Sequence, residues 1–519
     1  MSDAVVIGAG PNGLVAANHL ADAGWSVTVV EAQPTVGGAV RSDSGVVAGF
    51  VHDLFSAFYP LAMGSAAIRS LDLESYGLEW THAPAVLGNP FADGDGGTSW
   101  AVLHRDRQDT AAALDALTPG DGDGWLELCS LWDRVGGDLL GALLTPFPPV
   151  RHVLSGVLHA PSAGGLEVAR MLLLSVRRLG EERFRGEGPR LLLTGNALHA
   201  DLSPEGAGSG VFGLLMCMLG QQFGFPAPRG GAEQLSAAMA RRLEQRGGQI
   251  LCGHRVRQVL VRDGRAVAVR TADGTELPAR RAVIADVVAT HLYGDLLAGI
   301  DLPSRVQRGL RRFEWDPATV KVDWALSSPV PWSTPPDKQP GTVHVAGSVD
   351  ELTTYAAQIS GHTIPAEPFL IAGQMTTTDP SRSPAGTESL WAYSHVPQRV
   401  RADAGPDGLT GRWDHDERER FADRMQARLE RAAPGFSDRV VGRRVLGPHE
   451  LEQHDENLVG GAIGGGTANL HQQLVFRPVN GMGRPETPVE GLYLGSSSAH
   501  PGGGVHGACG ANAARAALW

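Results

Sequence analysis

The sequence predicts an α/β protein built from more than one domain. A short apolar strand, a glycine-rich turn and a helix open the chain, and a second apolar strand follows that helix. A region near the middle alternates apolar and polar residues, which is typical of antiparallel strands. A strand, a second glycine-rich loop and an alanine-rich helix come last. At 519 residues the chain has room for roughly two to four domains.

The composition is that of a globular protein. Hydrophobic residues make up 42% of the chain and charged residues 19%, which allows a large core and disfavours extended disorder. The formal net charge of −12 argues against nucleic acid or an anionic membrane as the main partner. Four widely spaced cysteines have no partner at metal-ligand spacing, so we predict reduced thiols and no metal site.

Targeting and membrane segments are not predicted. No basic region precedes the first apolar run, so a cleaved signal peptide is not expected. The longest strongly apolar stretch, Gly210–Gly220, is about half of the roughly 20 residues that a bilayer-spanning helix needs. The sequence therefore predicts a cytoplasmic protein without a transmembrane segment.

The opening unit predicts a dinucleotide site on a Rossmann-like βαβ fold. Ala4–Ile7 forms the strand, residues 8–13 (GAGPNG) the turn, and Leu14–Ala23 the helix. Trp25–Val30 forms the second strand and ends at Glu31, 18 residues after the third glycine of the turn. The position of GxGxxG between strand and helix, with an acidic residue at the next strand end, distinguishes this fingerprint from an ordinary glycine-rich turn.

Each residue type in the fingerprint has a physical role. Gly8 permits the tight turn, Gly10 lets the backbone approach a diphosphate, and Gly13 allows the helix to pack closely while its positive end faces the phosphates. Glu31 is expected to accept hydrogen bonds from ribose hydroxyls. The predicted cofactor contacts in this unit are Gly8, Gly10, Pro11, Asn12, Gly13, Glu31 and Ala32.

The residues after Glu31 favour FAD over NAD. Gly37, Gly38, Ala39, Val40 and Arg41 resemble the glycine-doublet extension of the flavin amine oxidase and phytoene desaturase superfamily. In that superfamily a second loop after the ribose-binding acid passes over the diphosphate. The resemblance places Arg41 near the phosphates or the flavin, and the alternative is a surface arginine in a loop.

Two later segments predict further elements of the fold. The pattern of Gly230–Glu244 predicts a helix, and that of 255–285 predicts a β-meander with Asp-Gly turns at 263–264 and 273–274. Gly491–Gly495 is typical of a strand, and it leads into an HPGGG loop and a closing helix. A second glycine-rich loop is therefore expected near the amino terminus of the last helix.

Taken together, these segments resemble the phytoene-dehydrogenase-like branch of the FAD-dependent amine oxidase and carotenoid desaturase superfamily. The co-linear motifs that carry the resemblance are Gly49–Leu54, Phe313–Asp316, Lys321–Leu326, Asp379–Arg382 and His500–Gly504. Two departures stand out. Ser496–Ser498 replaces a frequent aspartate or other polar residue, and Gly464–Gly465 replaces an aromatic–His pair of relatives. The second change removes bulk from a pocket wall, so no relative's substrate is carried over.

The resemblance implies an interleaved architecture. A Rossmann-like FAD-binding domain would comprise residues 1–95, 228–290 and 440–519. An α+β substrate-binding domain would comprise 96–227 and 291–439. Further cofactor contacts implied by the resemblance are Gly37, Gly38, Ala39, Arg41, Val256, Gly495, Ser496, Gly502, Gly503, Gly504 and Val505.

One segment of the predicted substrate domain raises the question of a membrane contact. Val153–Arg183 contains a helix rich in arginine and leucine that begins near Leu166. Such a helix could rest on a membrane surface or a partner, as in relatives with lipidic substrates, or could cover the core as an ordinary amphipathic helix.

Several polar residues are candidates for chemistry at the flavin. Backbone N–H groups of Gly502–Val505, expected at the start of the last helix, could donate to the pyrimidine O2 and favour the reduced flavin anion. His500 and His506 flank this loop, and His52 and Asp53 follow the first one, so any of the four could lie near the isoalloxazine edge. His500 and His506 are the preferred candidates for a base, and hydrogen bonding to the backbone is the alternative role.

Lys321 is a separate candidate, because the chain has only two lysines against 42 arginines. In amine oxidases a lysine reaches flavin N5 through a water. A lysine at the edge of a strand is the alternative interpretation. The predicted catalytic set is therefore His500, His506, Lys321 and Asp53.

The sequence thus predicts a FAD-dependent oxidoreductase that dehydrogenates or desaturates an at least partly apolar substrate by hydride transfer to flavin N5. A redox-neutral flavin-dependent isomerase and a non-catalytic flavin-containing binding protein remain open. A nicotinamide-linked enzyme would need a second fingerprint, and Gly460–Gly466 is a poor one because no buried strand precedes it. The sequence leaves the electron acceptor open, and molecular oxygen and a quinone are both candidates.

Overall fold

A computed structural model of the protein describes residues 1–93, 96–149 and 165–519. The strands, numbered along the chain, are β1 Ser2–Ile7, β2 Val27–Val30, β3 Ser42–Asp43, β4 His52–Asp53, β5 Trp80–Thr81, β6 Ala85–Ala92, β7 Thr98–Leu103, β8 Ala227–Pro228, β9 Gln249–Leu251, β10 Val256–Arg262, β11 Arg265–Thr271, β12 Glu276–Ala285, β13 Ala318–Leu326, β14 Pro340–Val345, β15 Thr363–Ile364, β16 Leu370–Gln374, β17 Glu388–Val396, β18 Ala402–Asp403, β19 Val440–Leu446 and β20 Leu492–Leu494. The helices of seven or more residues are α1 Pro11–Asp22, α2 Arg107–Leu117, α3 Asp121–Leu144, α4 Gly165–Met171, α5 Val176–Arg183, α6 Glu187–His199, α7 Ser209–Phe223, α8 Glu233–Gln245, α9 Ser304–Leu310, α10 Val349–Ser360, α11 His415–Ala432, α12 Pro448–His454 and α13 Ala508–Leu518.

Strands from three distant parts of the chain form one seven-stranded sheet. Its order is β10-β11-β12-β1-β2-β9, with β20 also paired to β12. β1 lies parallel to β2 and β12, and β20 lies parallel to β12. Ile7 pairs with Val30 on one side and Ala285 on the other, and Ala285 pairs with Leu494. The carboxyl ends of these parallel strands therefore meet at one edge, where α/β sheets bind their ligands.

The first and last helices pack against each other on this sheet. Leu14 and Val15 of α1 share a hydrophobic cluster with Leu235 of α8 and Ala513 of α13. A Cβ added at Gly510 would lie 1.8 Å from the carbonyl oxygen of Asn12. Only glycine permits this close approach of α13 to α1.

A second seven-stranded sheet has the order β19-β13-β17-β16-β14-β6-β7. β13 pairs antiparallel with β17 and β19. One face of the sheet carries apolar side chains such as Val322 and Trp324, which pack against Phe421 and Met425 of α11. Because side chains alternate along a strand, the opposite face carries Lys321 and its neighbours.

The fold class predicted from the sequence is confirmed: a parallel sheet with a βαβ opening stands beside a second, mostly antiparallel sheet. The predicted meander of residues 255–285 is present as β10–β12, and the predicted helix of residues 230–244 as α8. The division into domains stays a prediction. β6 and β19 both lie in the second sheet, although the predicted boundaries at 95 and 440 assign them to the first domain.

The predicted arginine- and leucine-rich helix is interrupted. α4 ends at Met171 and α5 begins at Val176, with Ser175 accepting a hydrogen bond from the Arg178 N–H as the cap of α5. Residues 153–164 of that stretch lie outside the described residues. Within the three described ranges, no helix combines the length and the apolar character needed to cross a membrane. The four cysteines are free thiols, and three of them are buried.

Candidate active site

The glycine-rich turn between β1 and α1 is closely packed. Gly8 has a φ of +96°, and its N–H donates to the Val30 carbonyl at 2.8 Å. A Cβ on Gly13 would lie 2.2 Å from the Gly8 carbonyl oxygen, and a Cβ on Gly10 would lie 2.8 Å from Asp286 Oδ2. The turn therefore requires glycine at each of its three fingerprint positions.

Glu31 is fixed at the end of β2. Its Oε2 accepts from the Ala9 N–H at 2.7 Å, and its Oε1 accepts from the Gln33 N–H at 2.8 Å. The residue is 7% exposed. Each carboxylate oxygen has a further lone pair, so Glu31 is held in place and can still accept hydrogen bonds from ribose hydroxyls.

Asp286, which the sequence analysis did not single out, lies at the same turn. It follows β12 directly, and its Oδ2 accepts from the Gly13 N–H at 2.8 Å. Burial raises the pKa of Asp286 to about 8. Burial also raises the pKa of the neighbouring Asp455 to about 6. A polar residue directly after a buried parallel strand was the signal that could have identified Asp286.

The glycine doublet packs against the first turn. The Gly37 N–H donates to the Ala9 carbonyl at 2.9 Å, and a Cβ on Gly38 would lie 3.0 Å from the Gly10 Cα. Arg41 donates through Nε to the Gly38 carbonyl at 2.9 Å and through Nη2 to the His454 carbonyl at 2.5 Å. Arg41 is 9% exposed, so it is not the surface arginine of the alternative interpretation.

The other predicted cofactor residues of this unit have the following positions. Pro11 and Asn12 open α1, and the Asn12 Oδ1 is buried without a hydrogen-bond partner among the described residues. Ala39 accepts a hydrogen bond from the Ser56 hydroxyl at 2.8 Å. Ala32 follows Glu31, and Val256 opens β10 two residues after His254, whose N–H donates to the Glu31 carbonyl.

The loop after β20 approaches the same edge of the sheet. The Gly495 N–H donates to the Ala285 carbonyl at 2.9 Å, and the buried Ser496 accepts from the Ser498 N–H at 3.3 Å. A Cβ on Gly503 would lie 2.8 Å from the Gly464 Cα. The backbone of Gly464 thus leaves no room for a side chain at Gly503 of the HPGGG loop.

One expectation for this loop is wrong. The last helix, α13, begins at Ala508 with Gly507 as its cap. Gly502, Gly504 and the partly buried Val505 therefore precede the helix, and their N–H groups are not its first turn. Gly502 and Gly504 have φ values of +113° and +106°, which place them in a tight loop that favours glycine.

Arg477 lies beneath the HPGGG loop, and the sequence contains no signal that identifies it. The side chain is fully buried, and its Cζ lies 3.2 Å from a Cβ built on Gly502. It donates hydrogen bonds to four backbone carbonyls, those of Gly464, Gly466, Thr467 and Ser497. No described carboxylate forms an ion pair with it. Burial lowers the pKa of Arg477, because desolvation disfavours the cation.

The two histidines that flank the HPGGG loop differ in whether a ring nitrogen lacks a hydrogen-bond partner. His506 donates through Nε2 to the Gly502 carbonyl at 3.2 Å and accepts through Nδ1 from the Ala508 N–H at 3.0 Å. Burial lowers its pKa to about 4. His500 donates through Nε2 to the Thr145 carbonyl at 3.0 Å, while its buried Nδ1 has no partner among the described residues. Of the two, His500 is the one that keeps a free lone pair.

The carboxylate of Asp53 links three segments that are distant in the sequence. Its Oδ1 accepts from the Ser42 hydroxyl at 2.7 Å and the Ala232 N–H at 2.8 Å. Its Oδ2 accepts from Arg382 at 3.0 Å. The neighbouring His52 donates through Nε2 to the Trp324 carbonyl at 3.1 Å. This arrangement gives Asp53 a structural role.

Lys321 is buried and does not lie at a sheet edge. β13 is paired on both sides, so the strand-edge interpretation is wrong. The ammonium group donates to the Asp53 carbonyl at 2.8 Å and forms an ion pair with Asp323. Burial lowers the pKa of Lys321, while the Asp323 carboxylate favours its charged form. Arg444 completes the network by donating to Asp323 at 2.7 Å.

The residues at the strand ends fit FAD. The turn, the doublet and the last loop form a cradle in which an added Cβ would collide with the neighbouring backbone or side chains. Glu31 and the orphaned Asn12 oxygen supply acceptors at the amino terminus of α1.

Comparison with known proteins agrees with this fit. The family described as FAD dependent oxidoreductase matches residues 3–172, and the family described as flavin containing amine oxidoreductase matches residues 167–355. Pyridine nucleotide-disulfide oxidoreductase domain-containing protein 2 of Mus musculus is 27% identical over 551 residues, covering 99% of this chain and 92% of that protein. The neurosporene-forming phytoene desaturase of Rhodobacter capsulatus is 25% identical over 524 residues, with 97% and 91% covered.

Solved structures share the fold. An oxidoreductase from Methanosarcina mazei superposes with a TM-score of 0.66 at 16% identity, covering 99% of both chains. Wild-type putrescine oxidase bound to putrescine superposes with a TM-score of 0.59 at 18% identity, covering 100% of this chain and 98% of that one. The chain is a FAD-dependent oxidoreductase, and it is similar to flavin-containing amine oxidoreductases and to phytoene desaturases.

Proposed function

We propose that the protein dehydrogenates an organic substrate that is at least partly apolar and so introduces a double bond into it. FAD, when bound, supplies the hydride acceptor, flavin N5. Two relatives support an apolar substrate by their names, the Rhodobacter capsulatus phytoene desaturase and a limonene dehydrogenase subunit from Castellaniella defragrans. The second is 24% identical over 536 residues, with 99% of this chain and 94% of that protein covered.

The observation that carries the redox assignment is the guanidinium of Arg477 beneath the HPGGG loop. It is fully buried and bound by carbonyl oxygens, and no described carboxylate forms an ion pair with it. A buried positive charge acts over several ångströms in a medium of low effective dielectric constant. Arg477 therefore supports the accumulation of negative charge on a reduced ring held at this loop.

His500 is the best placed proton acceptor of the predicted set. A dehydrogenation that transfers hydride from one carbon must also release a proton from its neighbour. His500 Nδ1 is buried and has no partner among the described residues, whereas both nitrogens of His506 are occupied. Burial lowers the pKa of His500, so the imidazole is neutral and its lone pair is available at neutral pH.

Lys321 and Asp53 act as positioning residues in this proposal. The ammonium of Lys321 fixes the backbone of Asp53, and the carboxylate of Asp53 fixes Arg382 and the amino terminus of α8. These contacts join the second sheet to the segment that follows the glycine doublet. The two residues would hold the sheet and the cradle at a constant separation.

An anaerobic screen tests the proposed function. Purified holoprotein is mixed with terpenoid hydrocarbons and other partly apolar metabolites without oxygen, and the flavin absorbance is followed. We expect at least one of them to bleach the flavin and to leave the reaction with one more double bond. A flavin that no candidate bleaches would favour a flavin-containing binding protein. Reoxidation by oxygen or by a quinone then identifies the electron acceptor.

Replacement of His500 tests the proposed proton acceptor. His500→Ala should slow flavin reduction by roughly 10²–10⁴-fold and leave FAD bound, the usual effect of losing a general base. His506→Ala should instead release flavin or lower the melting temperature. The exposed His449 provides the control substitution. Flavin reduction at the wild-type rate in His500→Ala would exclude His500 and leave proton loss to water.

A redox-neutral isomerase is the second candidate. Prolycopene isomerase 2 of an Oncidium hybrid is 25% identical over 525 residues, covering 97% of this chain and 81% of that protein. Both reactions would use the same cradle. Turnover of a substrate without consumption of any electron acceptor, and with no change in its number of double bonds, would identify the isomerase.

A further inference from the structure

A group of polar side chains on the second sheet has no role in the reaction proposed above. They lie on or against the face of the sheet that carries Lys321, and they are His199, Asp201, His344, Tyr355, Tyr393 and His395. In the register of β13 and β17, Lys321 pairs with Tyr393, and Thr319 pairs with His395. Diagonal neighbours on one sheet face are about 7–8 Å apart, so His395 stands close to Lys321.

Asp201 and His395 form the centre of this group. Asp201 follows α6 in the left-handed region, with a φ of +60°. Its Oδ1 lies 2.9 Å from His395 Nε2. Asp201 Oδ1 and His395 Nε2 are both buried, and neither atom makes an aligned hydrogen bond with a described residue. The His395 residue as a whole is 4% exposed. Two polar atoms that are close together and both unsatisfied in a buried place are costly unless a third group completes them.

The protonation of His395 follows from its contacts. Nδ1 lies 3.4 Å from the Ala318 carbonyl oxygen and 3.2 Å from the Thr319 hydroxyl. A carbonyl oxygen only accepts, so Nδ1 carries a proton. Burial disfavours the imidazolium, but the carboxylate of Asp201 outweighs it and raises the pKa of His395. Asp201 and His395 are therefore a buried pair of opposite charge, each with one unused hydrogen-bonding position.

The surroundings of the pair suit a small uncharged group. His199 and His344 are neutral, because burial lowers the pKa of His199 to about 4 and that of His344 well below its usual range. Tyr393 keeps some accessible surface, while burial raises the pKa of its hydroxyl well above its ordinary value. The phenol of Tyr393 is therefore neutral as well.

The pair is connected to the predicted flavin loop. Asp316, just before β13, accepts from the N–H groups of Gly464 and Gly466 at 2.6 and 2.9 Å. Gly464 is the residue that a Cβ on Gly503 of the HPGGG loop would meet at 2.8 Å. The HPGGG loop thus contacts Gly464, the N–H of Gly464 binds Asp316, and Asp316 lies just before β13.

We propose that Asp201 and His395 bind a hydroxyl group carried by the otherwise apolar substrate. A hydroxyl group can accept a hydrogen bond from His395 Nε2–H and donate one to Asp201 Oδ1 at the same time. An ether or a ketone only accepts. A carboxylate would place a second negative charge beside Asp201, and an ammonium would face the imidazolium. This inference rests on the proposed function, because it names the substrate class of the same site.

Binding to the FAD-loaded protein tests the hydroxyl site without turnover. Isothermal titration compares 1-decanol with its methyl ether, which has the same apolar chain but no hydrogen-bond donor. We expect wild-type protein to bind the alcohol about tenfold more tightly than the ether, the effect of one added hydrogen bond. Equal binding of the two, or no binding of the alcohol, would overturn the proposal.

Two variants and one control locate the effect. Asp201→Asn keeps the shape of the side chain and a residue type that tolerates positive φ, but removes the acceptor charge. Asp263→Asn is the matched control, because Asp263 also has a positive φ, of +51°, and lies at an exposed turn of the first sheet. The preference for the alcohol should shrink in Asp201→Asn, because a neutral amide oxygen accepts more weakly than a carboxylate, and it should persist in Asp263→Asn. His395→Gln decides the matter if Asp201→Asn does not fold.

The failure of this inference can be told apart from failure of the proposed function. Bleaching of the flavin by a substrate without a hydroxyl group, together with equal binding of decanol and its ether, would retain the dehydrogenase and exclude the hydroxyl site. A tenfold preference for decanol that Asp201→Asn weakens, in a protein whose flavin no substrate reduces, would retain the binding site and exclude the dehydrogenase.

Discussion

Asp286 shows that a dinucleotide fingerprint is completed by a residue far from it in sequence. The fingerprint places the positive end of α1 at the phosphates, and the structure pairs the Gly13 N–H in the first turn of α1 with a carboxyl group. A carboxylate beside an anionic diphosphate is unfavourable, and a protonated carboxyl is not. Burial raises the pKa of Asp286 to about 8, which keeps it neutral at pH 7.

FAD binding should therefore weaken at high pH. Below pH 8 the Asp286 carboxyl is protonated and the affinity for FAD is constant with respect to this group. Above pH 8 the free protein must take up a proton on binding, so the dissociation constant should rise with pH, up to about tenfold per pH unit. Titration of apoprotein with FAD between pH 6.5 and 9.5, followed by flavin fluorescence, measures it. Asp286→Asn should remove this dependence, and an unchanged slope in that variant would assign it to another group.

Arg477 should set the reduction potential of the bound flavin. Arg477→Met removes the buried charge, so we expect the midpoint potential to fall by tens of millivolts. Arg477→Lys keeps the charge, so its midpoint potential should lie close to the wild-type value. Its melting temperature should be lower than that of the wild type, because lysine has fewer donors for the surrounding carbonyls. Redox titration with a reference dye measures the potentials. Equal potentials in wild-type and Arg477→Met protein would limit Arg477 to a structural role.

At the scale of elements, the contact between α1 and α13 depends on a single glycine. Gly510→Ala places a Cβ 1.8 Å from the Asn12 carbonyl oxygen, and such overpacking costs about 1–3 kcal/mol of unfolding free energy. Gly137→Ala in α3 is the matched control, because nothing lies within 4 Å of its Cβ. That control should stabilise the protein by roughly 0.5–1 kcal/mol. Thermal or urea unfolding measures both, and equal effects of the two substitutions would contradict the packing argument.

The elements that sequence reasoning identified are those whose signals are local. β1, α1, β2, the meander and the last helix have apolar periodicity or glycine punctuation within the element itself. Asp286, Arg477 and the Asp201–His395 pair were missed because their roles arise from contacts between distant segments. The break between α4 and α5 was missed as well, since the leucines at 172 and 173 continue the apolar pattern although they are exposed in the structure.

At the scale of the whole molecule, the last strand and helix complete the sheet that begins the chain. Deletion of Gly495–Trp519 removes the HPGGG loop and α13. We expect the truncated protein to lose FAD, because α1 would lose its packing partner and the cradle would lose its last loop. Flavin content after purification is the measurement. A folded, fully yellow truncation would show that the amino-terminal part binds FAD alone.

Buried ion pairs also link distant segments of the chain. Asp53 pairs with Arg382, and Asp323 pairs with both Lys321 and Arg444. Buried pairs add little net stability, but the loss of one partner leaves an uncompensated charge. This network could not be predicted from the sequence, because most of the partners are separated by long stretches of chain.

The parallel pairing of β20 with β12 also has a consequence for synthesis. β12 is made more than 200 residues before β20, so the carboxyl half of β12 has one unpaired edge while the ribosome adds the intervening segments. Unpaired sheet edges template wrong contacts between chains. A nascent chain of this protein must therefore keep that edge protected until β20 emerges, and it should depend on chaperones during translation more than a protein whose strands pair in the order of their synthesis.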